Sequence, residues 1–386
     1  MNALYDLIGI PLGYLMSGIY KLIPNYAIAI IVFTLVTKIL LFPMNYKTQK
    51  SAARMQLLQP KLQKLQKSFS NNPTRLQEEQ QKLYQEEGLN HMGSCLPAFI
   101  QMFLLFGVID VVYKPITHIL HISKPVRKAA IEKASELAVQ FKDVNGGNPI
   151  QSNNLRNELL TMEALDKHSA DFSSIGENFR QVVTEFTENF TFFGANLGKV
   201  PTLKPDEWNF EAVVLCAIPF LAGLAQLLTS FYSMYHQKKT NPTAQAGGGC
   251  MTAMMLLSPL MSIWFAFELP AGIGFYWIWS ALFSFLVTFG LNLYFTHDKV
   301  VAINEKEKEK ARIYAEKHPE KKTFMQRMLE QQAALEAQNG GTGNSSHEKL
   351  SRSEQNKINR DAIKDARRRM ADKYGDLYDD SNDNED

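Results

Sequence analysis

One lysine stands inside an otherwise apolar stretch of the sequence. In AIAIIVFTLVTKILLFPM, residues 27–44, Lys38 is the only charged side chain. A charge within a bilayer is costly, and such residues usually face a polar cavity or a substrate path. The alternative is snorkelling, because Lys38 precedes Pro43 by five residues, about 7–8 Å along a helix, and a lysine stem covers much of that distance. The stretch alone leaves these two interpretations evenly balanced.

Few other polar side chains interrupt the apolar stretches. Thr34 precedes Lys38 by four residues, so the two share one face of a helix. Four more lie in two later apolar stretches: Gln101, Gln226, Thr229 and Ser230. Individually such residues are common contacts between membrane helices. Together they would line a polar groove in which Lys38 is the cation. Asp110, near the end of its stretch, is interpreted as a boundary residue.

Motifs for other chemistry are missing from the sequence. GxSxG, HExxH and the P-loop do not occur, which disfavours the corresponding hydrolases, metalloproteases and nucleotide-binding proteins. The three cysteines lack metal-binding spacing, and their odd number disfavours a disulfide framework. We therefore expect no catalytic residues, no metal and no cofactor, and the protein is not expected to be an enzyme.

Apolar stretches long enough to cross a hydrocarbon core about 30 Å thick dominate the first three quarters of the sequence. Five candidates occur: residues 26–42, 92–112, 210–231, 251–267 and 273–294. Only helices and closed barrels satisfy their backbone polar groups in lipid, and stretches of this length indicate helices. The sequence therefore predicts an all-α integral membrane protein with five transmembrane helices.

Charge and helical periodicity divide the first part of the chain. Residues 1–24 are expected to form an amphipathic interfacial helix on the extracytoplasmic side. Residues 25–113 contain the first two core helices, joined by a cytoplasmic helical hairpin at 45–90. The hairpin is short and rich in Lys and Arg, so the positive-inside rule places it in the cytoplasm. The N-terminus is therefore predicted outside.

The second part begins with an insert, residues 114–208, expected outside and helical near 126–142, 155–164 and 174–188. Residues 209–296 contain core helices three to five, with Pro270 and Gly272 suited to a tight turn between the last two. Residues 297–386 form a charged cytoplasmic tail with a basic segment at 349–373. That segment suits either anionic lipid headgroups or ribosomal RNA, and charge alone does not separate them.

Four stretches resemble, in order, motifs of the YidC/Oxa/Alb family of membrane protein insertases. They are FTLVTKILLFP, QKSAARMQLLQPKLQKLQ, NHMGSCLPAFIQM and FELPAGIGFYWIWS, within residues 25–298. Three departures stand out. Lys38 takes the place of the arginine usual in bacterial members, the insert is longer than expected, and no large extracytoplasmic domain precedes the first core helix. In its domain plan the chain resembles a Gram-positive-type member.

The resemblance implies a membrane protein insertase and chaperone that acts alone or with the Sec translocon. It implies five helices around a polar groove open to the cytoplasm, with Lys38 facing that groove. The expected partners are nascent membrane proteins, the Sec translocon, the ribosome and anionic lipids, without a small-molecule substrate. The expected location is the plasma (inner) membrane, multi-pass, with the C-terminus in the cytoplasm.

The alternative is a polytopic transporter or channel that uses Lys38 as a substrate counter-ion. The lack of a visible internal repeat disfavours it.

Overall fold

The computed structural model describes residues 2–89, 96–151, 154–240 and 249–317, and most of them are helical. The predicted basic segment at 349–373 lies outside the described residues. The helices and strands, in chain order, are α1 (Asn2–Leu22), α2 (Tyr26–Ser68), α3 (Pro73–Glu86), α4 (Leu96–Tyr113), α5 (Pro115–His118), α6 (Lys124–Phe141), α7 (Asn157–Lys167), α8 (Glu177–Asn189), β1 (Thr191–Phe192), β2 (Ala195–Asn196), α9 (Phe210–Thr240), α10 (Gly249–Glu268), α11 (Ala271–Tyr294) and α12 (His297–Lys317).

Three helices in the described residues are long and apolar enough to cross a membrane: α2, α9 and α11. The chain is therefore a multi-pass membrane protein. α4 contributes a shorter apolar stretch, Phe99–Tyr113, and α10 is helical over 20 residues. α11 packs between α2 and α9, and α10 packs against α9. Three of the five predicted spans are thus confirmed by length and composition.

The first predicted span, residues 26–42, is the beginning of a longer helix. α2 continues through Pro43 to Ser68 without a break. An interior proline removes one backbone hydrogen bond and bends a helix, a cost that tertiary packing can offset. Here the C-terminal half of α2 buries Leu58 and Leu62. The first arm of the predicted hairpin is therefore an extension of the first membrane helix.

The hairpin's second arm is α3, which Asn72 caps by accepting a hydrogen bond from the backbone N–H of Arg75. α12, the start of the predicted tail, packs against both arms. The Glu87 carboxylate joins all three helices, since it accepts hydrogen bonds from Lys61 at 2.6 Å, Lys308 at 3.3 Å and Asn304 at 3.2 Å. Burial raises the pKa of Glu87, but these hydrogen bonds outweigh it and hold the pKa below its ordinary value.

The insert, called here the cap (residues 114–208), contains helices close to those predicted. α6, α7 and α8 enclose a core that includes Phe172, Phe179 and Phe186. Glu158 is buried within it and accepts hydrogen bonds from the Thr117 backbone N–H, at 2.9 Å, and hydroxyl. Desolvation outweighs these bonds and raises the pKa of Glu158.

Glycines bring α1 onto α4. Gly9 faces the Asp110 carboxylate so closely that an added Cβ would collide with it, and a Cβ on Gly13 would lie 2.7 Å from Nδ1 of His118. Asp110, interpreted from the sequence as a boundary residue, lies three residues before the end of α4. It is completely buried, with Lys114 and His118 both 2.6 Å from its oxygens. A carboxylate withdrawn from water needs such partners, and two later residues supply them.

Candidate functional site

Lys38 lies on the buried face of α2. Thr34, Thr37 and Lys38 are 0%, 1% and 7% exposed, whereas Ile39 and Leu40 are 64% and 72% exposed. The Lys38 ammonium donates a hydrogen bond of 2.8 Å to the Ser284 hydroxyl of α11. In the part of the chain that the structure describes, it forms no ion pair with a carboxylate. The side chain therefore points toward a neighbouring helix and not along the lipid-facing surface.

The two threonines before Lys38 are satisfied within α2. Thr34 donates to the carbonyl oxygen of Ile30 at 2.6 Å, and Thr37 donates to that of Thr34 at 2.8 Å. Such back-bonding satisfies a hydroxyl inside an apolar environment. These hydroxyls make the buried face of α2 polar, but their hydrogen bonds stay within the helix.

Among the predicted α9 residues, Thr229 also contacts α11. The Thr229 hydroxyl approaches the carbonyl oxygens of Ala225 at 3.1 Å and Ala281 at 3.4 Å. Ala281 is three residues from Ser284, so Lys38 and Thr229 contact neighbouring turns of one helix. Ser230 is buried and Gln226 is half-buried. The structure thus places Lys38 and Thr229 against α11 without direct contact between them.

Gln101 occupies a separate position on α4. Its side chain is exposed, and it lies close to the buried Tyr276 hydroxyl, as does Ser280, although neither meets hydrogen-bond geometry. Ser280 and Ser284 were not predicted as site residues. Their spacing of four places two small hydroxyl residues on one face of an apolar helix, and this pattern was the available signal.

A cleft of about 640 Å³ opens where α2, α9 and α11 leave their apolar segments. The cleft's polar lining includes Gln49, Tyr232, His236, Lys239, Asn292 and His297. None of the described residues that line it is Asp or Glu. The Gln49 amide donates to the Asn292 side-chain oxygen, and the Asn292 amide lies 3.5 Å from the Tyr232 hydroxyl. The cleft can therefore receive polar or acidic groups.

The cleft and Lys38 are separated along α2. Gln49 follows Lys38 by eleven residues, about 16 Å of helix. At these two levels of α2, side-chain hydrogen bonds connect it to α11: Lys38 donates to Ser284, and Gln49 donates to Asn292. The predicted groove residues around Lys38 do not line the cleft.

The predicted turn at Pro270 and Gly272 needs a correction. Pro270 does precede α11, but Gly272 lies within that helix. Its backbone N–H donates to the carbonyl oxygen of Leu197 in the cap at 2.8 Å, and a Cβ would lie 3.3 Å from that oxygen. A glycine here permits close approach of the cap to α11, a long-range contact that local turn preferences do not reveal.

The described ranges contain no group of three or more His, Cys, Asp or Glu side chains that could hold a metal ion. The described residues offer a polar site around Lys38 and, about 16 Å along α2, a separate cleft.

Relatives of this chain are membrane proteins. A Membrane protein insertase YidC from Clostridium tetani is 41% identical over 107 residues, which cover 28% of this chain and 49% of the relative. The corresponding protein of Treponema denticola is 40% identical over 97 residues, 25% of this chain and 17% of the relative. That of Prosthecochloris aestuarii is 24% identical over 284 residues, 74% of this chain and 36% of the relative. The chain thus matches less than half the length of each relative.

The model of the 60Kd inner membrane protein family matches residues 18–299. This match includes α2, α9 and α11, the cap, and the contact between Lys38 and Ser284. Because it extends over more than half of the sequence, the chain belongs to the 60Kd inner membrane protein family, the YidC/Oxa/Alb family that its four motifs resemble.

Proposed function

We propose that this protein is a membrane protein insertase and chaperone. The observation that carries the proposal is the Lys38 ammonium, which is buried between two membrane helices and bonded to a neutral hydroxyl. A cation in this setting can attract a carboxylate of a substrate, because charges interact more strongly there than in water. The family membership and the names of the relatives support the same function.

The proposed path begins at the cleft. A short hydrophilic segment of a nascent membrane protein enters from the cytoplasm, where Gln49, Asn292 and Tyr232 offer hydrogen bonds and Lys239 offers a positive charge. The segment then reaches Lys38 in a groove formed by α2, α4, α9, α10 and α11 and closed to the outside. Thr34, Gln101, Gln226, Thr229 and Ser230 supply polar surface along this groove. The apolar helix of the substrate partitions into lipid, and this burial supplies the driving force.

Topology and partners belong to the same proposal. The N-terminus lies outside the plasma membrane, the hairpin and tail lie in the cytoplasm, and α1 lies in the interface plane. The protein acts alone or with the Sec translocon. The basic segment 349–373 contacts the ribosome or anionic lipids. Deletion of residues 349–386 followed by ribosome co-sedimentation distinguishes the two, since only the first predicts loss of sedimentation.

The test of the proposed function is reconstitution of the purified protein into liposomes. We expect insertion of a short membrane protein substrate without a nucleotide, measured by protease protection, and no increase in solute flux. Solute flux without insertion would instead support a transporter or channel in which Lys38 is a counter-ion. Absence of both activities would support a scaffold for other membrane proteins.

A further inference from the structure

The cap carries a β-hairpin that ends in an exposed aromatic side chain. β1 and β2 pair with Phe192 opposite Ala195, so Phe193 and Gly194 form a two-residue turn. Their φ angles are +47° and +78°, both positive as a type I′ turn requires. Asn, Asp and Gly suit the first position, whereas a bulky residue with positive φ is an outlier. Phe193 is nevertheless 72% exposed, and such strain at an exposed residue suggests a role other than packing.

The hairpin lies at one shared end of the three long apolar helices. The Phe192 ring lies 4.7 Å from that of Phe275, near the start of α11. β1 also packs against α2, and the Asn196 backbone N–H donates to Glu211 in the first turn of α9 at 3.2 Å. The starts of α2, α9 and α11 therefore surround the hairpin. Because these helices cross the bilayer, their common end marks its boundary.

The exposed face of α9 continues this boundary. Large apolar side chains recur along it at intervals of three, seven and four residues, which keeps them on one helix face, and are half or more exposed: Phe210, Val213, Phe220 and Leu224. Such a row on a membrane helix faces lipid. It starts beside the hairpin, and Trp208, 62% exposed, precedes it. Tryptophan is enriched where a membrane protein meets the headgroups.

We propose that Phe193, together with Trp208 and Phe210, forms a membrane-binding surface of the cap. The Phe193 ring inserts into the boundary between headgroups and acyl chains of the leaflet on the cap side. An aromatic ring is suited to that depth. Within the described protein the Phe193 ring contacts that of Phe192, with 4.6 Å between the centroids, but it stays 72% exposed. Burial of this exposed surface in lipid then offsets the strain of the turn. The surface attaches the cap to the bilayer in addition to its contacts with the helices.

The test places an environment-sensitive fluorophore at residue 193. The three native cysteines are replaced by alanine, Phe193→Cys is labelled, and the full chain is reconstituted into phosphatidylcholine–phosphatidylglycerol vesicles. We expect blue-shifted emission, strong quenching by lipids that carry a spin label near the headgroup, and weak quenching by iodide. Val139→Cys, on the exposed side of α6, is the matched control because Val139 is also apolar and 51% exposed.

A lipid-to-iodide quenching ratio several-fold higher at residue 193 than at 139 supports the proposal. Equal ratios, with iodide reaching both probes, overturn it. If the labelled variant fails to fold, Phe193→Trp retains an aromatic ring and replaces the label. Its quenching by brominated lipids, after subtraction of the unmodified protein's signal, must exceed zero for the proposal to stand.

Discussion

The Lys38 ammonium lies 2.8 Å from the Ser284 hydroxyl, and this hydrogen bond joins the first membrane helix to the last. Because the hydroxyl is neutral, it orients the ammonium without cancelling its charge. A carboxylate that arrives nearby would therefore meet a cation that is already positioned. This arrangement differs from a structural ion pair, in which a carboxylate of the protein would neutralise the ammonium.

Removal of the Lys38 charge should impair insertion. We expect Lys38→Ala to lower the insertion rate about tenfold or more, since a charge pair at 4 Å is worth about 4 kcal/mol at an intermediate dielectric. Lys38→Arg keeps the charge and should retain most activity. Protease protection of a substrate with an acidic hydrophilic segment measures both. Lys47→Ala, at an exposed position of α2, is the control, and equal rates for Lys38→Ala and this control would exclude the role of Lys38.

The glycine contacts of α1 predict opposite effects of one substitution at two sites. Gly9→Ala forces a methyl group against buried Asp110 and should lower the free energy of unfolding by about 1–3 kcal/mol. Gly18→Ala meets nothing within 4 Å and should raise it by about 0.5–1 kcal/mol through helix propensity. Thermal unfolding in detergent measures both. Stabilisation by both substitutions would show that α1 does not pack on α4 in this way.

Glu158 should make the cap's stability depend on pH. Its pKa is raised in the folded state, so the folded protein holds a proton that the unfolded chain releases over the interval between the ordinary and the raised pKa. Stability should therefore fall as pH rises through that interval and become constant above it. Glu158→Gln should remove this slope in unfolding experiments, whereas Glu163→Gln, on the same helix and more exposed, should preserve it. An unchanged slope in Glu158→Gln would assign it to another group.

Glu87 should hold α12 against the hairpin. Glu87→Gln weakens three hydrogen bonds to charged or amide donors and should cost about 1–3 kcal/mol. Hydrogen exchange should accelerate in α3 and α12, while the neighbouring exposed Glu86→Gln changes little. The lowered pKa of Glu87 means that this stabilisation is present above its ordinary pKa and is lost as pH falls through the lowered one. Equal exchange in both variants would argue against the contact.

The sequence was informative where local pattern determines structure. Apolar stretches predicted α2, α9 and α11 because length and hydropathy are local properties. The four-residue spacing of Thr34 and Lys38 correctly predicted that they share a face, and both are buried. The helical hairpin and the helices of the cap followed from periodicity in the same way.

Contacts between distant segments could not be predicted in this way. Ser284 is 246 residues from Lys38, and Asn304 is 217 residues from Glu87. No local signal pairs such residues, because their approach depends on how whole helices pack. Gly272 shows the same limit. Its position two residues after Pro270 suggested a turn, whereas its backbone N–H donates to Leu197 in the cap.

α2 is one continuous helix that connects the apolar segment around Lys38 directly to the hairpin. Its 43 residues make a rod about 65 Å long at 1.5 Å per residue. Lys38 lies twelve residues after the start of α2, about 18 Å, and the hairpin turn follows the other end of the helix. Helices bend preferentially at interior prolines. Because no loop separates the hairpin turn from Lys38, we expect a displacement of the hairpin to reach Lys38 and its contact with Ser284 through this single helix, with bending at Pro60 and Pro43.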